Sequence, residues 1–294
     1  METRRYKFGL PLVVVLFVAA FRLVQIFHHA PIPPEVEAAL AAEKSGDFKK
    51  AITLYSQALN SNKLKPDMIS GVRERRAFAY LQDNQPQLAE QDFDKLTGGN
   101  NFLAYSGRGL SFIKQKNYEK AVKDFDRAIS IGSKDTAIRN SLYEPRALAE
   151  FYLGRFDKAE TDFRSASNAK PENSYHPIWL NLTELHQHKD AQVELKNRAS
   201  KLNLETWPSP VIQFYLGEIS PEQVLAKASI GDQKKTQTDQ LCEVNFYLGE
   251  SALISGNNAD ATRLFEQATA SCEKDFNEFD GAQVELKRLL NAPH

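Results

Sequence analysis

A surplus of charge of either sign is missing from this chain: 37 basic residues stand against 38 acidic ones, a formal net charge of −1. Residues 1–30 hold Arg4, Arg5, Lys7 and Arg22 against Glu2, which leaves 33 basic and 37 acidic residues in the rest, or −4. Phosphate binding needs a basic face, so nucleic acid is excluded as the expected partner. Histidine is scarce as well. The six are His28, His29, His176, His186, His188 and His294. His186 and His188 are two apart and point to different faces of a helix; they read as solvated surface histidines, and no metal site is expected. No G-x-S-x-G, H-E-x-x-H, phosphate-binding loop or dinucleotide fingerprint appears, so no catalytic residue, cofactor or enzymatic activity is expected. Only two cysteines are present, and neither follows the N-terminal apolar run as a lipid-attachment site.

That run extends from Phe8 to Phe21 and, past Arg22, through Leu23 to Phe27. About twenty residues with one charge are close to the length that crosses a bilayer. Arg4, Arg5 and Lys7 would hold the N-terminus in the cytoplasm and send the rest across. An uncleaved anchor fits, and so does a cleaved signal peptide, since Val18, Ala19 and Ala20 are small enough for a cleavage site. The first places the body in the periplasm on an inner-membrane anchor; the second makes it soluble periplasmic. A buried core helix fits poorly, because the apolar row from Leu12 to Phe21 leaves no polar face. His28 to Pro34 then reads as a stiff spacer.

Self-comparison shows one template. A small residue is followed by another 12 positions on, an aromatic 16 on, and a small residue 19 on. Ala39, Ala51, Tyr55 and Ala58 fit it, as do Gly109, Ala121, Phe125 and Ala128. Ala147, Ala159, Phe163 and Ala166 fit, and so do Gly249, Ala261, Phe265 and Ala268. Ala77, Ala89 and Phe93 fit with Leu96 in the last slot. Small residues let two antiparallel helices approach, and the aromatic fills the space between neighbouring hairpins. Turn signals fall at the same offset in four of the five units: Gly46-Asp47, Asn84-Gln85-Pro86, Gly154-Arg155 and Gly256-Asn257-Asn258. From Ala147 to Gly249 is 102 residues, room for two weaker repeats between the fourth and last clear ones.

This pattern resembles the tetratricopeptide-repeat (TPR) family, with its repeat of about 34 residues. The second half adds a more specific likeness. Trp207 to Ser220 (W-P-S-P-V-I-Q-F-Y-L-G-E-I-S) is followed by N-F-Y-L-G at Asn245 to Gly249. Together they resemble the NlpI family of bacterial envelope lipoproteins, over roughly residues 30–285 and most strongly after 175. The resemblance implies a periplasmic scaffold that brings a processing protease to cell-wall hydrolases. It also implies a homodimer, so a self-associating assembly module of an envelope complex is the alternative function. Expected partners are envelope proteases, hydrolases or assembly factors.

The fold expected is therefore all-α: an N-terminal membrane segment (1–30), four repeats (31–173), degenerate helices (174–241), and a last repeat with a capping helix (242–294). That makes a solenoid of about six hairpins plus the cap. The cap is expected from about Phe279 to Leu290, with Ala282, Leu286, Leu289 and Leu290 as its apolar stripe and Glu285 off it. The acidic residues Glu90, Asp92 and Asp94 read as a solvated face. A ridge one step beyond the small residue of each first helix places Phe78, Leu81, Leu110, Ile113, Leu148, Phe151 and Tyr152 on an apolar groove for a peptide segment; packing of such residues against the next repeat is the alternative. The register sets Cys242 at the start of the last hairpin and Cys272 at its end, both about equally far from the turn at Gly256. They lie level at the open end, where a disulfide closes; two buried thiols are the alternative.

Overall fold

A computed structural model describes residues 32–230 and 234–291. The expected membrane segment, with His28, His29 and also His294, lies outside the described residues. Among the described residues no helix is long and apolar enough to cross a membrane.

Fifteen helices and no strand are found among the described residues. They come largely in pairs: α1 (Pro34–Lys44) with α2 (Phe48–Asn60), α3 (Pro66–Gln82) with α4 (Pro86–Asp94), and α5 (Phe102–Lys114) with α6 (Tyr118–Ile131). Then follow α7 (Thr136–Tyr152), α8 (Phe156–Ala169), α9 (Tyr175–Leu185), α10 (Gln192–Ala199), α11 (Ser209–Tyr215) and α12 (Pro221–Ala228). The chain closes with α13 (Lys234–Ile254), α14 (Asn258–Ser271) and α15 (Asn277–Asn291). Contacts divide the described chain into two units, 32–149 and 150–291.

The joints between paired helices repeat one backbone device. Gly46, Asn84, Lys116, Gly154 and Gly256 all have positive φ, between 56° and 81°. Each lies seven residues after the first small residue of its repeat. The next amide in each case donates five residues back: Asp47 to Ala42, Gln85 to Tyr80, Asn117 to Phe112, Arg155 to Glu150 and Asn257 to Ala252. This left-handed closure satisfies the last carbonyls of the first helix and reverses the chain. The same closure occurs at His188, with Lys189 donating to Glu184, and at Gly217, with Glu218 donating to Gln213. The degenerate segment therefore keeps the turn while losing the small-residue pattern, and its helices are short, 11, 8, 7 and 8 residues. Helix starts are marked by proline in the first turn at Pro34, Pro66, Pro86 and Pro221. Side chains of Asp47, Asn101 and Asn257 cap others, and Ser220 with Gln223 forms a full capping box.

Every template position is buried, and Tyr55, Phe93, Phe125, Phe163 and Phe265 are each 0% exposed. The template glycines sit directly beneath these rings: Gly109 meets Phe125, and Gly249 meets Phe265.

Of the acidic residues of α4, Asp94 is exposed as expected and Asp92 departs from expectation. Asp92 is buried rather than solvated, because Arg76 reaches it with a two-pronged contact, Nε to Oδ2 at 2.7 Å and Nη2 to Oδ1 at 2.8 Å. The next repeat does the same. Arg108 grips Asp124 at 2.7 and 2.8 Å and also reaches Asp94 at 2.6 Å. Each arginine immediately precedes the first small residue, and each aspartate immediately precedes the aromatic. The hairpin is thus pinned by an apolar contact and, one residue away, by a charged one.

The capping helix also differs. It spans Asn277–Asn291, but its buried face is Asn277, Glu278, Phe279, Asp280, Gly281, Ala282 and Glu285. Leu290 is 79% exposed, and Leu286 and Leu289 are only half-buried. The helix is rotated because Gly281 packs against Phe246 of α13, which turns Glu285 inward and Leu290 out.

Candidate functional site

All seven residues of the expected groove are buried, none more than 4% exposed, so they line no open surface. The physical reason is visible in the ring contacts. Phe78 meets Phe93 edge-on at 5.0 Å. Phe151 meets Phe156, Trp179 and Tyr152 edge-on at 5.2, 5.2 and 6.3 Å. Tyr152 donates its hydroxyl to the carbonyl of Asn277 at 2.9 Å. The ridge one step past each small residue is therefore an internal packing ridge, as large aromatic surface favours. Among the described residues the exposed large apolar side chains are Leu88, Val193, Ile230 and Leu290.

Cys242 and Cys272 are joined, with Cα atoms 4.9 Å apart. The helix carrying Cys242 begins at Lys234 rather than at the cysteine; Cys272 ends α14. Phe276 and Phe279 pack over the bond.

The unit 150–291 contains a cleft of about 450 Å³ lined by Gly154, Phe156, His186, Leu253, Glu285 and Arg288 among others. His186 is not a solvated residue. Its ring stacks on Phe156 at 4.3 Å with an interplanar angle of 6°, and its Nε2 lies 2.7 Å from Oε2 of the fully buried Glu250. Burial works against a charged ring, but the hydrogen bond to and charge of Glu250 outweigh it, so His186 is held above its ordinary range. Arg288 donates through Nη2 to the carbonyls of Phe151 and Tyr152 at 3.2 and 2.9 Å and through Nη1 to Glu285. Burial and the neighbouring Glu250 carry Glu285 up to about 7, against the pull of Arg288 and His186.

A second cluster lies on the same two helices. Glu243 accepts from Trp207 Nε1 at 2.8 Å and from Tyr175 Oη at 3.0 Å. Glu278 accepts from Tyr247 Oη at 2.7 Å. Burial raises both acids, Glu278 to about 7, and Glu278 raises Glu243 further. Among the described residues no group of three or more His, Cys, Asp or Glu is arranged to hold a metal ion. The buried acids escaped sequence reasoning because glutamate on a helix reads as surface. The available signal was their seven-residue spacing, Glu243 to Glu250 and Glu278 to Glu285.

Comparisons with known proteins agree with this architecture. Residues 102–135, which contain α5 and α6, match the family described as tetratricopeptide repeat. The chain is 29% identical over 242 residues to the lipoprotein NlpI homolog of Haemophilus influenzae (strain ATCC 51907 / DSM 11121 / KW20 / Rd), covering 81% of this chain and 76% of that protein. It is also similar in fold to the crystal structure of a tetratricopeptide repeat protein from Parabacteroides merdae ATCC 43184. There the TM-score is 0.58 at 14% identity, over 87% of this chain and 98% of the other.

Proposed function

We infer that this tetratricopeptide-repeat chain, which resembles NlpI, is a non-enzymatic scaffold that holds other proteins together at the bacterial cell envelope. The observation that carries the reading is the likeness to the lipoprotein NlpI homolog across 81% of the chain. The repeated hairpins support it, because stacked repeats present long surfaces suited to protein partners. The polar groups brought together inside the fold are spent on holding helices: Arg76 on Asp92, Arg108 on Asp124, Arg288 on two carbonyls. The finer proposal is an adaptor that brings envelope proteases to cell-wall hydrolases, with residues 1–30 as an inner-membrane anchor and the repeats in the periplasm.

With the apolar ridge consumed between repeats, partner contact falls to polar side chains, and binding is expected to weaken as salt rises. Crosslinking of the full chain in native cells tests the proposal. Recovery of envelope proteases, hydrolases or assembly factors supports it, and recovery of none of them from well-folded protein overturns it. Light scattering of the purified chain measures the competing self-associating role, which a strict monomer at micromolar concentration removes.

A further inference from the structure

Helices α13 and α15 run side by side and meet through carboxyl groups. Glu243 and Glu250 are seven residues apart on α13, and Glu278 and Glu285 are seven apart on α15. Two helical turns separate each pair, so the acids stand in two rungs across one interface. Glu243 feels the charge of Glu278, and Glu285 that of Glu250. All four are buried, at 3%, 0%, 2% and 2% exposure in chain order. At Gly281 the helices are so close that a Cβ would stand 2.6 Å from the Phe246 ring, with no room for water at that crossing, while Glu285 borders the cleft described above.

Among the hydrogen bonds and ion pairs given for these four carboxyls, two cations are found, His186 and Arg288. In the first rung the donors are neutral: Tyr175 and Trp207 on Glu243, Tyr247 on Glu278. Asp239, on α13 one turn before Glu243, adds a further acid nearby. In the second rung His186 meets Glu250 and Arg288 meets Glu285, while Oε1 of Glu250 has no hydrogen-bond partner. Tyr215 also feels the charge of Glu250. An unpaired buried carboxylate is costly, and two facing each other more so, unless one takes up a proton.

We propose that the seating of α15 on α13 is proton-dependent, the carboxyls of Glu243, Glu278 and Glu285 holding the helix down in acid and releasing it as the medium turns alkaline. The Cys242–Cys272 bond tethers the chain five residues before α15 begins, so release frees the helix without losing it. Release uncovers Phe246 and Tyr247, fully buried aromatics of α13.

The direction follows from linkage. Glu278 and Glu285 titrate near 7 in the folded chain, above an ordinary unfolded carboxyl near 4.3. Their contribution is complete below the unfolded value and is lost as pH rises through about 7. His186, also raised, contributes in the same direction, since its ion pair with Glu250 is present when it is charged.

Hydrogen exchange of the full chain at pH 5.5, 7.0 and 8.5, corrected for intrinsic rates, tests this. The opening equilibrium of α15 amides is expected to rise about tenfold or more across that range, while those of α5 and α6 stay level. Trp207, bonded to Glu243, should change its fluorescence over the same interval. Glu278→Gln keeps an acceptor for Tyr247 but does not titrate; it should flatten the pH dependence, and Glu285→Gln should do the same at the second rung. The exposed Glu266→Gln on α14 should leave it intact. A wild-type α15 whose opening is unchanged from pH 5.5 to 8.5 overturns the proposal. So do Gln variants that keep the full wild-type pH dependence. If Glu278→Gln fails to fold, the wild-type profile and Glu285→Gln decide.

Discussion

A Cβ built on Gly249 would stand 2.7 Å from the ring of Phe265, sixteen residues further along the chain. Ala39, Ala77 and Ala147 occupy the equivalent place elsewhere, beneath Tyr55, Phe93 and Phe163, so one methyl is accommodated when the ring shifts. A β-branched side chain adds two more carbons to a filled space. Gly249→Val is expected to lower stability by about 1–3 kcal/mol, whereas Gly249→Ala should lie within about 1 kcal/mol of wild type, its helix propensity offsetting the closer contact. Urea unfolding of both variants checks the order; equal stability of Val and Gly would show that the ring is not packed there.

The rings themselves hold hairpins together. Replacing Phe125 or Phe163 with Ala should cost about 3–5 kcal/mol, the usual loss for a core aromatic. Since repeats contact mainly their neighbours, the damage should be local. Hydrogen exchange should show α5 and α6 opening first in Phe125→Ala.

Lys116 occupies the left-handed turn position, at φ 59°, that Gly46, Gly154 and Gly256 fill without a side chain. A non-glycine residue there carries a steric cost of about 1–2 kcal/mol. Lys116→Gly is therefore expected to raise stability, by about 0.5–1 kcal/mol after the added freedom of the unfolded chain is deducted. A lower thermal midpoint than wild type would contradict this.

Asp124 is buried and held by two nitrogens of Arg108. Removing Asp124 takes two hydrogen bonds from Arg108 and leaves it the exposed partner Asp94. Asp124→Ala is expected to cost about 1–3 kcal/mol, the range for a lost hydrogen bond to a charged group, and Asp92→Ala a similar amount. Exposed Asp126, which pairs with Arg146 at 2.6 Å, should matter by less than about 1 kcal/mol. The contrast is measured by chemical denaturation at low and high salt, where only the Asp126 variant should approach wild type as salt rises.

The disulfide closes a loop with a separation of 30 residues. In the chain-entropy account its loss costs roughly 3–4 kcal/mol. Cys242→Ser with Cys272→Ser should lower the unfolding midpoint of the unit 150–291. Mass spectrometry of the protein from its native cells should find no free thiol; two free thiols would show that the bond does not form in the cell.

The repeat was legible because its evidence is periodic. Small residues at a 12-residue interval and the aromatic at 16 recur in five places and the turn signal at 7 in four, and each is buried or in a left-handed turn; the fifth turn position, Lys116, is neither glycine nor asparagine. Less was legible where identity and environment disagree. Asp92, Asp124 and Glu285 are acidic residues on helices and read as solvated. Arg76 and Arg108 hold the two aspartates down, and the packing of Gly281 on Phe246 turns Glu285 inward; a hydropathy pattern measures neither. Arg76-x15-Asp92 and Arg108-x15-Asp124 share the template's spacing, so those two pairings are visible in the sequence.

The local sequence determined where hairpins begin, turn and end, because a helix, its cap and its closing turn depend on residues within a few positions of one another, and a stacked repeat adds only its neighbour. Tertiary structure alone decided which face of each first helix is covered. Phe78, Leu110 and Phe151 fit an open groove and an internal ridge equally well by spacing; all three are buried, Phe78 against Phe93 of its own hairpin and Phe151 against Phe156 and, in the next helix, Trp179. It decided the chemistry of α15 in the same way. Gly281 seats the helix against Phe246, that seating turns Glu278 and Glu285 inward, and burial holds both carboxyls, with that of Glu243, above the ordinary range.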